Sequence, residues 1–199
     1  MKKMKYFKTW TQVVFAPMEF WEELPKKIRY KEPTIFAIKT FAIMMGVVFF
    51  MLAVMAALFS GITGTIFGGT ELAVLGTLGA GVFFLILLAY LVMLLLQWAG
   101  LYIGAGMTHL FVLLLGGKQR YQETFKVYSY SFAPMLIGFI PVLGSLAGIY
   151  SLVLMIMGVH VRQKLSVGKA IAAALLPAAV FILFIFFIIM EMVLLAKLV

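Results

Sequence analysis

The sequence predicts an all-α integral membrane protein of five transmembrane helices, with a cytoplasmic N-terminus and short amphipathic interfacial helices ahead of the first span. Three observations predict it. Of the 199 residues 65% are apolar and 12% charged, where soluble domains hold about half and a quarter. The apolar residues form runs longer than the ~18 that a bilayer-crossing helix requires. The 16 Lys and Arg, set against 7 acidic residues, sit almost entirely between those runs. That placement fixes topology and meets the bilayer and its anionic headgroups, and it argues against nucleic acid as the partner of the +9 charge.

The chain has no cysteine, so disulfides, zinc thiolates and thiol nucleophiles are excluded. No set of nucleophile, base or metal ligands stands out. The expectation is a protein that is not an enzyme and has no catalytic residue, cofactor or metal.

Residues 1–34 read as a basic amphipathic cytoplasmic segment. Tyr6, Phe7, Trp10, Val13 and Val14 recur at helical spacing among Lys2, Lys3, Lys5 and Lys8, the pattern of a helix lying in the headgroup plane. It is not read as a cleaved signal, because the first long apolar run starts only near Ile35 and no small-residue cleavage site follows. A second short helix starts at Pro17, where proline fits the first helical position and Glu19 and Glu22 favour the dipole. Met18, Trp21, Leu24 and Ile28 share a face of it, and Pro25 cuts it. The segment serves either as an anchor and topology signal or as a docking surface for a cytoplasmic partner.

Residues 35–199 carry the spans. Ile35–Ser60 is the first, with Lys39 snorkelling near its start. Gly61–Gly81, rich in Gly and Thr and carrying Glu71, suits a turn or loose loop. Val82–Leu115 is either one long tilted span or two that turn near Gly100, Gly104 and Gly106. Charge favours one, which returns Lys118, Arg120 and Lys126 to the side of the N-terminus. Phe125–Ile140 and Leu146–Val161 flank an uncharged turn from Pro141 to Gly144. Arg162, Lys164 and Lys169 make the next basic loop, and Ala170–Ala196, with Pro177 inside it, is the last run. The five spans are thus about 35–60, 82–115, 125–140, 146–161 and 170–196, with every Lys and Arg except Lys197 on or near the inside. A re-entrant hairpin over Phe125–Val161 is the rival arrangement and would leave three true spans.

Gly116-Gly117-Lys118 lacks the spacing and the preceding strand of a phosphate-binding loop and reads as a helix C-cap. Tyr121, Tyr128 and Tyr130 suit an interfacial aromatic belt. His109, about two turns inside the boundary, is an intramembrane polar candidate within reach of Gln97, Thr108, Tyr130 or His160. Glu191, near the outer end of the last span, is the other. Gly100 and Gly104, like Gly144 and Gly148, are small residues four apart that let helices pack closely, within the subunit or in a homo-oligomer.

The stretch from Gly116 through Tyr121, Thr124, Phe125 and Tyr130 to Pro134 is followed by Pro141–Gly144 and by Gly158-Val159-His160. With Pro17-Met18-Glu19-Phe20-Trp21 ahead of them, these motifs resemble the Yip family, the Ypt/Rab-interacting membrane proteins. The resemblance covers nearly the whole chain and implies five spans and a cytoplasmic N-terminus. As family-motif or partner-contact positions it implies Pro17, Glu19, Phe20, Gly116, Gly117, Lys118, Tyr121, Thr124, Phe125, Tyr130, Pro134, Pro141, Gly144 and Gly158. Eukaryotic members are associated with Rab GTPases and traffic between endoplasmic reticulum and Golgi, and carry a longer region before the first span. The compact form here looks more like prokaryotic relatives, which implies the cytoplasmic membrane of a prokaryote. The expected role is a scaffold or adaptor that binds protein partners or lipid headgroups at the cytoplasmic face. A small transporter or channel acting as an oligomer is the alternative.

Overall fold

Among the described residues, proline, glycine and polar loop residues set off seven helices. The computed structural model describes residues 5–25, 30–67 and 71–196. The helices are α1 (Tyr6–Phe15), α2 (Pro17–Glu23), α3 (Lys31–Phe67), α4 (Glu71–Leu114), α5 (Tyr121–Tyr130), α6 (Pro141–Gln163) and α7 (Val167–Ala196). A 3-10 turn, Ala133–Ile137, lies between α5 and α6, and no strand occurs among the described residues.

Four of these helices are long and apolar enough to cross a membrane: α3 over Lys31–Met55, α4 over Gly81–Leu114, α6, and α7 over Val167–Leu194. The charge argument for one span in Val82–Leu115 agrees with an unbroken α4. The loose loop expected over Gly61–Gly81 is corrected. α3 continues to Phe67 and α4 begins at Glu71, so the connection narrows to 68–70, outside the described residues. Each helical glycine costs only about 1 kcal/mol relative to alanine.

The third apolar run, expected as a continuous span over 125–140, is divided. α5 stops after ten residues, and the 3-10 turn begins one residue before Pro134. Proline disfavours helical backbone in the residue before it and supplies no N–H to the ladder. The Ala133 carbonyl at this break is met by Trp10 Nε1 at 2.7 Å, so irregular backbone is covered by protein. Pro141 then opens α6 at its first position. A Cβ on Gly144 would stand 2.5 Å from the Gly138 carbonyl oxygen, so only glycine permits this close hairpin tip.

The structure gathers one set of helix ends together. Gln163 at the end of α6 donates to Thr124 at the start of α5, at 2.8 Å. His109 near the end of α4 meets the same hydroxyl at 2.8 Å. Tyr30, just before α3, packs on Phe125 with ring centroids 5.1 Å apart. Both basic loops, 116–120 and 164–166, and the entry to α3 therefore share one end of the bundle. Gly116, at φ +96, terminates α4 with Gly116 N–H on Leu113 O and Gly117 N–H on Val112 O. This is the Schellman arrangement, in which glycine takes the left-handed position. Lys164 ends α6 in the left-handed region at φ 56.

α1 and α2 are built into the bundle. Val13, Phe20, Trp21 and Leu24 share one core with Phe36, Val112, Val127, Leu154, Val159 and Ala173. The stripe expected to lie on headgroups thus faces protein: Tyr6, Trp10 and Val14 pack against that core, while Phe7 and Phe15 stay exposed. On α2, Trp21 and Leu24 are buried and Met18 is exposed. Ile28 lies outside the described residues. Tyr6 hydrogen-bonds Thr40 at 2.9 Å. Burial raises its phenol pKa above the usual range, and that hydrogen bond opposes the shift. At the other extreme α7 is exposed from Ala178 to Leu194, an apolar surface suited to lipid. Pro177 leaves α7 continuous.

Each of the two small-residue pairs is used once within the subunit. Gly104 admits the Tyr128 ring and Gly144 the hairpin tip, whereas Gly100 and Gly148 face open space. Gly158 is tighter, since a Cβ there would lie 2.7 Å from Val127 and 3.0 Å from Trp21, both fully buried. Gly158→Ala is expected to destabilise the protein by about 1–3 kcal/mol through overpacking. Gly148→Ala on the same helix should be neutral or slightly stabilising. Thermal denaturation in detergent reads both; equal effects would refute the packing role of Gly158.

Candidate functional site

Glu123 stands in the first turn of α5 and turns away from its own helix end. Its Oε1 accepts from Lys126 Nζ at 2.7 Å, and its Oε2 accepts from Arg162 Nε at 2.8 Å. Arg162 Nη2 reaches the same oxygen. The remaining guanidinium nitrogen, Nη1, donates to the Leu24 carbonyl at 2.8 Å and the Trp21 carbonyl at 3.2 Å. Lys126 Nζ also lies 3.4 Å from the Pro25 carbonyl. Lys126 is fully buried, Arg162 nearly so, and Glu123 mostly so.

Two cations meet one carboxylate here, leaving an excess positive charge in a dry setting. The C-terminal carbonyls of α2, which carry the negative end of that helix and have no partner within it, answer the excess. A guanidinium suits this position because its planar fork can bind a carboxylate on one edge and carbonyls on the other. The node therefore ties α2, α5 and α6 together at the loop end of the bundle.

A neutral chain runs beside it. The Thr124 hydroxyl accepts from Gln163 Nε2 and contacts His109 Nδ1, and the His109 ring packs edge-on to Tyr121 at 5.5 Å. His109 is thus a histidine bonded to a neighbouring helix; of Gln97, Thr108, Tyr130 and His160, none is the group it bonds. Tyr121 donates to the Tyr102 carbonyl at 2.9 Å. His160 Nδ1 meets the Leu165 carbonyl at 2.6 Å and braces the loop after α6.

The residues singled out from the sequence do not converge on one pocket. Phe20 and Phe36 flank the buried Tyr130 ring, at 5.2 and 4.9 Å between centroids, and Phe125 lies between Tyr30 and Tyr102. Pro17, Pro134 and Pro141 set the starts of α2, the 3-10 turn and α6. Gly116 and Gly117 cap α4, while Gly144 and Gly158 permit close approaches. Glu19 and Lys118 are exposed, as is Glu191 towards the far end of α7. Among the described residues no group of three His, Asp or Glu could hold a metal. Sequence reasoning missed Trp10, Glu123, Arg162 and Gln163 as structural partners, and took Lys126 only as a cation of a basic inner loop. Their one visible signal was a carboxylate three residues before a lysine on a short helix, a spacing common on solvated surfaces.

The fold and this polar end define an all-helical integral membrane protein whose N-terminal helices are locked to its spanning bundle. The chain belongs to the Yip1 domain family, whose model matches residues 11–189. Comparison with curated proteins gave no match, and neither did comparison with solved structures.

Arg162→Gln should cost about 3–5 kcal/mol by breaking a buried charge pair. The effect should be local as well, with faster hydrogen exchange in α1 and α2 than in α7. Unchanged exchange in α2 would show that the guanidinium does not hold it. Trp10→Phe, which leaves the Ala133 carbonyl without its donor, should cost about 1–3 kcal/mol in the same denaturation assay.

Proposed function

We propose that this Yip-family protein is a non-enzymatic membrane adaptor, and that α1 and α2 present a docking surface to a cytoplasmic protein partner. One observation carries this reading: a short helical pair is fixed to the bundle by Arg162, Trp10 and Tyr150, whose hydroxyl donates to the Val14 carbonyl at 2.6 Å. A surface held in one conformation loses little entropy on binding. Its outward face carries Glu19, Glu22 and Glu23, all exposed, three of the seven acidic residues in a chain of charge +9. Gln12, Ala16, Glu19, Phe20, Glu23, Leu24 and Pro25 line a shallow groove there. The surface fits a partner with a basic face.

The proposed setting is the cytoplasmic membrane of a prokaryote. The N-terminus and both basic loops lie inside, as the bias of Lys and Arg favours. The chain makes five passages, the third being the bent path of α5 and the 3-10 turn. Count and sidedness can be tested separately, because the chain lacks cysteine. A single cysteine at Gln119 or Ser166 should resist an impermeant reagent in intact cells and react after permeabilisation. Reaction without permeabilisation would reverse the assigned sides.

The adaptor reading is tested by crosslinking in intact membranes with mass spectrometry. Wild type is compared with a Glu19→Gln, Glu22→Gln, Glu23→Gln variant. A partner captured by the first and lost by the second is expected. Capture of nothing by either would turn attention to transport, where proteoliposome flux sensitive to His109→Ala would establish the alternative.

A further inference from the structure

The two basic loops are brought together by the packing of α4 against α7. Lys169 Nζ lies 3.7 Å from where a Cβ on Gly116 would stand, and Gln163 Oε1 lies 3.4 Å from the equivalent point on Gly117. Lys118 and Arg120 from one loop and Lys164 and Lys169 from the other are all exposed. Residues 116–122 and 163–170 contain no acidic side chain. Neither ion pair among the described residues includes any of these four cations.

The local placement of charge is adverse. Arg120 is the N-cap of α5 without a side-chain capping bond, and Lys169 stands in the first turn of α7, which has no acid. Cations at helix N-termini oppose the macrodipole. Four like charges held near one another also repel, and a bound anion relieves both conflicts. The apolar residues beside the loops say which anion. Leu113 and Leu114 at the end of α4, and Val167 and Ile171 at the start of α7, are exposed large hydrophobic side chains. A ligand that meets the cations and these residues together has a negative head and apolar tails.

We infer that the paired loops hold the headgroup phosphate of an anionic phospholipid, with its acyl chains along the adjoining faces of α4 and α7. Topology alone requires only that the positive charges be on one side; it does not require the two loops to touch. The inference adds a ligand to the membrane face proposed above and stands apart from the partner site on α2, so either can fail alone.

The test follows melting of the full chain in neutral detergent by the fluorescence of its three tryptophans. Phosphatidylglycerol, phosphatidylcholine or inorganic phosphate is titrated in. Saturating phosphatidylglycerol should raise the midpoint by about 5–10 °C, and the other two should not. Replacing Lys118, Arg120, Lys164 and Lys169 with Gln should remove the shift, while Lys5→Gln with Lys8→Gln should keep it. If the fourfold variant does not fold, the pairs Lys118→Gln/Arg120→Gln and Lys164→Gln/Lys169→Gln are read in its place, and each should lose most of the shift. An equal response to phosphatidylcholine, or a full response in the loop variants, would overturn the inference. So would an equal loss in the Lys5/Lys8 control, which would mean net charge alone, or a shift with inorganic phosphate, which would mean a small-anion site.

Discussion

A single guanidinium makes the rest of this structure possible. Arg162 joins the carboxylate of α5 to the carbonyl end of α2, and those carbonyls answer the excess charge that two buried cations leave on one carboxylate. Buried charges survive only when every group finds partners, because the desolvation cost of each ion is several kcal/mol. Here those partners come from helices at opposite ends of the sequence. The result is that α1 and α2, too short to be stable helices alone, become part of the core.

The surroundings of that node are arranged to keep it dry on one side and wet on the other. Trp21 and Val127 close over Gly158, and the aromatic rings of Phe20, Phe36 and Tyr130 pack behind them. Glu123 keeps a little solvent contact. Charge outside the node is segregated. Acidic side chains occupy the outer face of α2, and cations occupy the loops after α4 and α6. One end of the bundle therefore offers two surfaces of opposite sign on a common rigid base.

Much of this was legible in the residues. Apolar run length gave α3, α4, α6 and α7, since nothing but lipid accommodates such runs. Gly116-Gly117 marked a helix end, Pro17 a helix start, and the motif order pointed to the family that the chain belongs to. Other features were hidden for physical reasons. An amphipathic stripe such as Tyr6, Trp10 and Val13 shows that one face is covered, but lipid and protein cover it equally well. Glycines suggested a loop near residue 70, yet at about 1 kcal/mol each they cost too little to break long helices. Pro134 was noticed, yet the break it makes depends on Trp10, more than a hundred residues away, supplying a donor. Lys126 read as one cation of a basic inner loop, since its burial depends on a carboxylate and carbonyls that only the tertiary fold brings near.

The distance in sequence across the node also sets an order of assembly. Arg162 binds carbonyls 138 and 141 positions before it, so α1 and α2 leave the ribosome long before their anchor exists. During synthesis, through the insertion of α3 and α4, α1 and α2 can meet Thr40 and Phe36 of α3 but not Arg162. They settle only when the end of α6 has been made and has returned to their side of the membrane. The closed pair of α1 and α2 therefore reports that α6 is already in place.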